Sequence, residues 1–298
     1  MTSNYGTFVQ YPTGPAGAME STWWPWRDMD VHVERIGAPD APVRLVLFHG
    51  AGGNAAAMRP FAEHLAALGT DVSVPDLPGY GLTRSPDPAG IRYGHWQQFA
   101  QDFARAESDD RPLVLMGASM GGLLAFEAAA ATSLAAALVV TCLLDPRDER
   151  VRARLTWHPV LGKVAGPALR LLAGSLARVR VPIRWVADMR HISNDPGLVR
   201  TVLRDARGGG GSMSLGWMRS FMEWQPDVEP EDFRTGRVLM VHPAEDRWTP
   251  PEISKPFFER IATTKQIVML ENAGHFPIEQ PGLDQLVAAV GQLVADLR

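Results

Sequence analysis

The sequence is nearly without cysteine: a single residue, Cys142, in 298. An intrachain disulfide is therefore excluded, and so is a four-cysteine zinc or iron–sulfur site. Cys142 lies in the apolar run AALVVTCLL, which predicts a buried, inert thiol rather than a reactive one. Long hydrophobic runs are missing too. No stretch reaches the roughly 18–20 apolar residues of a membrane span, so stable membrane insertion is not expected. The first thirty residues have neither a basic start nor a continuous apolar stretch, which predicts no secretory leader and a cytoplasmic setting. Nor is there a large excess of one charge. The formal balance of -4 argues against a dedicated nucleic-acid binder.

What is present is an ordinary globular composition, 46% apolar and 21% charged, in a chain long enough to bury a substantial core without a metal or disulfide staple. Charge is unevenly placed. Residues 146–207 hold thirteen Arg or Lys against five Asp or Glu, a local balance of +8. Such a region can draw an anionic substrate or make transient contact with an anionic membrane surface; the plainer reading is a set of solvated helical arginines.

Residues 1–28 read as a loose N-terminal arm that ends in the cluster Trp23, Trp24 and Trp26 around Pro25. Residues 29–36, MDVHVERI, alternate as a partly exposed strand. From there short apolar runs alternate with 3.6-residue periodicity. VRLVLF, TDVSVPD, PLVLMG, a strand within LAAALVVTCLL, GRVLMVH and KQIVML are strands. Residues 57–68, 93–107, 123–131, 251–262 and 283–297 are helices. This alternation predicts an α/β fold with a mostly parallel, doubly wound sheet covered on both faces. Its core runs over 29–145 and resumes over 235–298. Residues 146–234 interrupt it and are too long and apolar for a bare connector, so they are expected to form an inserted, mainly helical cap. The apolar residues Trp157, Leu161, Leu169, Leu172, Trp185, Trp217, Met218, Phe221 and Met222 would pack there, and the run Gly208 to Gly211 would be a flexible joint.

The strongest motif is GASMG, residues 117–121, a G-x-S-x-G between the strand PLVLM and the helical LLAFEAAAA. Small residues at that spacing permit a cramped strand-to-helix turn that lifts the Ser119 hydroxyl above the sheet edge. Serine needs a base to take its proton. Of eight histidines, His275 follows the strand KQIVML through ENAG into a loop at the same sheet edge as Ser119, in ENAGHFPIEQP, and is the expected base. A carboxylate must hold that imidazole. Asp246, in PAEDRWTP after GRVLMVH, is the first candidate and Asp145, at the end of the preceding strand, the competitor. Asp188 lies within the insertion and fits less well. HGAGG, residues 49–53, follows VRLVLF, and its glycines let backbone donors approach a substrate oxygen. Ala51 and Met120 are the expected amide donors, and His49 is expected to organise the loop.

Taken together, LVLFHGAGG, DLPGYGLT, GASMGG, PAEDRWTP and NAGHFPIEQP resemble the α/β-hydrolase superfamily, in the style of its monoacylglycerol-lipase, lysophospholipase and serine-aminopeptidase-like branch. Thr83 stands where that pattern usually has serine. The resemblance covers about 43–145 and 236–297 and leaves the insertion unmatched. It implies a serine hydrolase acting on carboxylic esters with an apolar part through an acyl-enzyme intermediate, its partners a small apolar ester and water. Amide, thioester, lactone or carbon–carbon bond hydrolysis would use the same residues, and a ligand-binding receptor or scaffold is the non-enzymatic alternative. Serine at the elbow, where epoxide hydrolases and dehalogenases would call for aspartate, argues against those two. The chemistry requires no metal and no cofactor, and no P-loop or dinucleotide fingerprint is present.

Overall fold

The alternation of apolar runs and periodic helices resolves into one eight-stranded sheet in the computed structural model, which describes residues 5–9, 19–155 and 174–298. Its strands are β1 (Glu20–Trp26), β2 (Met29–Ile36), β3 (Val43–Phe48), β4 (Thr70–Pro75), β5 (Leu113–Gly117), β6 (Ala135–Val140), β9 (Arg237–Pro243) and β10 (Lys265–Leu270). The spatial order is β1-β2-β4-β3-β5-β6-β9-β10. Pairing is parallel from β4 to β10, and β2 joins β4 antiparallel, with β1 beside it as an antiparallel edge. The central strands are buried on both faces, which is why they read as unbroken apolar runs rather than alternating ones.

Crossover helices α1 (Ala55–Ala67), α2 (Tyr93–Glu107), α3 (Met120–Thr132), α8 (Pro251–Arg260) and α9 (Gly282–Ala295) cover the sheet. Asn54 caps α1 by accepting the Ala57 N–H at 2.9 Å. In α3 every residue from Met120 to Ala129 is buried, and all of them except Glu127 are apolar or glycine, so this helix sits inside the molecule directly behind Ser119. Between β6 and β9 the described residues form α4 (Glu149–Leu155), the small ribbon of β7 (Arg180–Pro182) and β8 (Ser212–Ser214), and helices α5 (Ile183–Val186), α6 (Pro196–Arg204) and α7 (Leu215–Met222).

Four expectations change. Residues 20–26, assigned to the arm, are a strand despite Pro25, which an edge position tolerates. The arm is not loose throughout: Tyr5 and Val9 are buried in the core, and the Tyr5 hydroxyl donates to Asp205 Oδ2 at 2.7 Å. The glycine run is a tight turn, not a joint. A Cβ at Gly208 would stand 2.8 Å from the Gly52 carbonyl oxygen and one at Gly209 2.6 Å from Val202 Cγ1. Finally, the aromatic residues of α7 join the insertion to α2, with Trp217 4.7 Å from Trp96 and Phe221 5.1 Å from Tyr93 between ring centroids. Trp185 is 67% exposed, and Trp157, Leu161, Leu169 and Leu172 lie outside the described residues. No described helix is long and apolar enough to cross a membrane.

Candidate active site

Ser119 stands between β5 and α3 with φ 56° and ψ −126°, a backbone conformation that costs a non-glycine residue about 1–3 kcal/mol. Its neighbours make that conformation attainable. A Cβ at Gly117 would lie 1.9 Å from the Gly121 carbonyl oxygen, and one at Gly121 would lie 2.3 Å from that of Phe48, so neither site admits a side chain. Thr141, just beyond β6, holds the turn from the side by accepting the Ser119 N–H on Oγ1 at 3.0 Å.

Asp246 and His275 meet at the same sheet edge. Asp246 Oδ2 lies 2.8 Å from His275 Nδ1 and also accepts from Thr249 Oγ1 at 2.8 Å, while Oδ1 takes the N–H groups of Trp248 and Thr249 at 2.8 Å each. Burial opposes ionisation of this carboxyl, but the charge and hydrogen bond of His275 and the Thr249 donors outweigh it and hold the group well below the usual carboxylate range. An ionised carboxylate can only accept, so His275 carries its proton on Nδ1 and presents a bare lone pair at Nε2. That Nε2 is buried and has no hydrogen-bond partner. The third link of the expected relay, from Ser119 to His275, is therefore not made in this structure. Both side chains nonetheless line one cavity of about 50 Å³.

The Ser119 hydroxyl instead neighbours the Cys142 thiol, which burial first and the Asp246 charge second push up to about 12. A thiol so placed stays protonated, in keeping with the inert role expected for it.

The glycine loop after β3 runs directly over the elbow. A Cβ at Gly50 would stand 3.0 Å from that of Ser119 and 3.3 Å from the Met120 nitrogen. Gly53 donates back to the Gly50 carbonyl, which closes a turn with Ala51 and Gly52 at its tip. His49 fixes the base of this loop: Nδ1 donates to the Gly50 carbonyl at 2.7 Å and Nε2 accepts the Leu77 N–H at 3.0 Å. Burial lowers its pKa, against the pull of Asp76 and Gly50, and keeps the ring neutral in that tautomer.

The competing carboxylates are engaged elsewhere. Asp145 forms a bidentate pair with Arg147, which also binds Glu229, and Asp188 pairs with Arg190 and His191. The cavity wall carries Met58 and Phe61 from α1, Phe276 and Leu286 from the last loop and helix, and Ile192 and Val202 from the insertion. Among the described residues that line it, His275 carries the one ionisable side chain. Among the described residues no group of three or more His, Cys, Asp or Glu stands close enough to hold a metal ion.

Two contributors were not identified from the sequence. Thr249, which braces both Asp246 and His275 (3.1 Å to Nδ1), was open to detection because an aspartate followed three residues later by threonine suits an Asx turn. Thr141 carries no such signal, since nothing local distinguishes it from any strand-end threonine.

Residues 45–289 match the sequence profile of the alpha/beta hydrolase family, well over half of the chain. The chain belongs to the alpha/beta hydrolase family. The chain is 35% identical over 122 residues to Lipase LipV of Mycobacterium tuberculosis, a stretch covering 40% of this chain and 42% of that relative. Its fold is similar to a soluble variant of monoglyceride lipase from Saccharomyces cerevisiae, with a TM-score of 0.76 at 16% identity over 97% of this hydrolase and 99% of that chain. It is also similar to the monoacylglycerol lipase of Paleococcus ferrophilus (TM-score 0.69, 18% identity, 90% and 99% covered) and to epoxide hydrolase A of Mycobacterium thermoresistibile (0.61, 17%, 94% and 99%). At these identities the structural likeness speaks for the fold of the hydrolase alone.

Proposed function

We propose that this hydrolase cleaves carboxylic esters with an apolar acyl or alcohol part, using Ser119 as nucleophile, His275 as general base and acid, and Asp246 as the carboxylate that orients it. The observation that carries this reading is the free Nε2 of a buried, Asp246-bound His275 in one cavity with a serine on a strained elbow. In this reading the Ser119 hydroxyl turns from Cys142 to that lone pair when substrate binds. Ser119 Oγ then attacks the carbonyl carbon as its proton passes to Nε2. The developing oxyanion is taken by the N–H groups of Ala51 and Met120, the first at the tip of a turn and the second opening α3. His275 next protonates the departing alcohol, and water, activated by the same imidazole, releases the acid.

An uncharged substrate is favoured because the cavity wall is apolar and an unpaired charge there would have to leave water uncompensated. Residues 146–234 act as the cap in this reading, since Ile192 and Val202 form part of the wall and the Phe276 N–H donates to the Ile192 carbonyl beside His275. No cofactor enters any step.

The test is kinetic. Ser119→Ala or His275→Ala should lower kcat on the preferred ester by at least about 10³-fold, and Ser119→Ala should abolish labelling by a fluorophosphonate. Asp246→Asn should be far more damaging than Asp145→Asn in proteins that both remain folded. Comparable turnover by Ser119→Ala would remove the nucleophile from the proposal, and the reverse order of the two asparagine variants would remove the acid.

A further inference from the structure

A second serine–histidine–aspartate array lies on the far antiparallel edge of the sheet, outside the residues that line the candidate active-site cavity. His32, on β2, is 1% exposed. Its Nδ1 is 2.8 Å from Asp76 Oδ2, and its Nε2 is 3.2 Å from the Oγ of Ser21 on β1. Asp76 is buried and resembles Asp246 in its bonding: it takes the Ala55 N–H at 2.6 Å and the Leu82 N–H at 2.8 Å besides the imidazole. An indole also flanks each imidazole, with Trp23 5.3 Å from His32 and Trp248 4.9 Å from His275.

The proton logic follows from the carboxylate. Both Asp76 oxygens already accept backbone N–H groups, so His32 Nδ1 is the donor to Oδ2 and its Nε2 lone pair receives the Ser21 hydroxyl. Ser21 itself is exposed. A structural latch accounts for His32 and Asp76, which tie β2 to the loop after β4. It does not call for a solvent-facing hydroxyl on Nε2.

We propose that Ser21 is a second nucleophile of this chain, which accepts acyl groups from activated acyl donors such as aryl esters and thioesters. Ser21 Oγ attacks the acyl carbon while its proton moves to His32 Nε2. The aryloxide or thiolate departs with the bonding pair and takes that proton, so an Oγ–acyl bond replaces the original C–O or C–S bond and nothing is oxidised or reduced. Ser21 lies within a strand and, unlike Ser119, is not followed by a helix whose first amides could hold an oxyanion. The array therefore requires a good leaving group. For the same reason water attacks the product slowly, and acyl-Ser21 accumulates instead of turning over.

The experiment uses the full chain carrying Ser119→Ala, so that failure of this inference and failure of the proposed esterase activity are read separately. It is treated with p-nitrophenyl acetate and mapped by peptide mass spectrometry over time. Acetylation of Ser21 is expected to be at least about tenfold faster than that of Ser133 and Ser175, both exposed serines, since a positioned base contributes about 10²–10⁴-fold. Adding His32→Asn should bring Ser21 down to their rate. Labelling of Ser21 no faster than Ser133 and Ser175 overturns the proposal, and this comparison needs no substitution within the array.

Discussion

Glu127, on the helix that follows Ser119, accepts hydrogen bonds from Tyr93 Oη at 2.8 Å, from Gln97 Nε2 at 2.7 Å and from Trp224 Nε1. Burial pushes its pKa up to about 7; the three donors pull the other way and Asp227 adds to the rise. The folded value thus exceeds the unfolded one, near 4.3. A group shifted in that direction contributes stability that is complete below the unfolded value and is lost as pH rises through about 7. The buried histidines His49 and His242 are shifted the other way, so the whole-protein trend is a mixture. The difference between wild type and Glu127→Gln isolates the carboxyl, because glutamine keeps an acceptor for Trp224 and Gln97 and offers Tyr93 a donor. Relative to wild type, Glu127→Gln should gain on the order of 2–3 kcal/mol between pH 5 and 8 in urea unfolding. A difference independent of pH would show that Glu127 stays ionised throughout. The same contrast marks what was legible at this scale. Ser119, Asp246 and His275 each follow a core strand within a short signature, whereas Glu127 and Thr141 gain their meaning only from partners distant in sequence.

Among the elements, the core strands and helices were legible almost to the residue: VRLVLF, KQIVML and the helix at 93–107 fold as their patterns predict. Fully apolar strands and one-sided helices state their burial locally. The insertion does not, because its aromatic residues serve equally well as cavity wall or as attachment, and contact with Tyr93 and Trp96 makes Trp217 and Phe221 attachment. The glycine run was misread for a related reason. Glycine permits both mobility and close approach, and only the neighbouring backbone of Gly52 decides which. That contact has a functional corollary. Gly52 adjoins Ala51, the proposed oxyanion donor, and a Cβ at Gly208 would stand 2.8 Å from the Gly52 carbonyl oxygen. A methyl group at Gly208 must displace backbone, and displacement of about 1 Å near reacting groups costs up to about 10²-fold. Gly208→Ala should therefore lower kcat at least about tenfold, whereas Gly174→Ala, with nothing within 4 Å of the added carbon, should leave it unchanged. Unaltered kcat together with a lower Tm would place the strain inside the insertion instead.

On the scale of the whole molecule, the sheet holds the proposed reacting groups at one edge while the cavity wall is assembled from α1, the final loop and helix, and the insertion. Substrate preference is therefore a property of how these parts meet. The wall side chains Met58, Phe61, Ile192, Val202, Phe276 and Leu286 are apolar, so a lengthening acyl chain gains about 0.8 kcal/mol per methylene in ideal transfer, roughly fourfold in affinity. The gain stops when the cavity is full, and part of it enters KM without raising kcat. Because Trp217 and Phe221 are committed to α2 and Trp185 faces solvent, the described wall takes its capacity from α1 and the last helix and not from these three aromatic residues. With a wall of finite extent, kcat/KM for esters of one common alcohol, measured below their aggregation threshold, should rise from acetyl to an interior maximum and fall before dodecanoyl. Phe61→Ala, which removes a ring at the α1 wall, should move that maximum to longer chains. A monotonic fall from acetyl would mean that the cavity admits only the smallest acyl group. A maximum unmoved by Phe61→Ala would put the chain against a different wall.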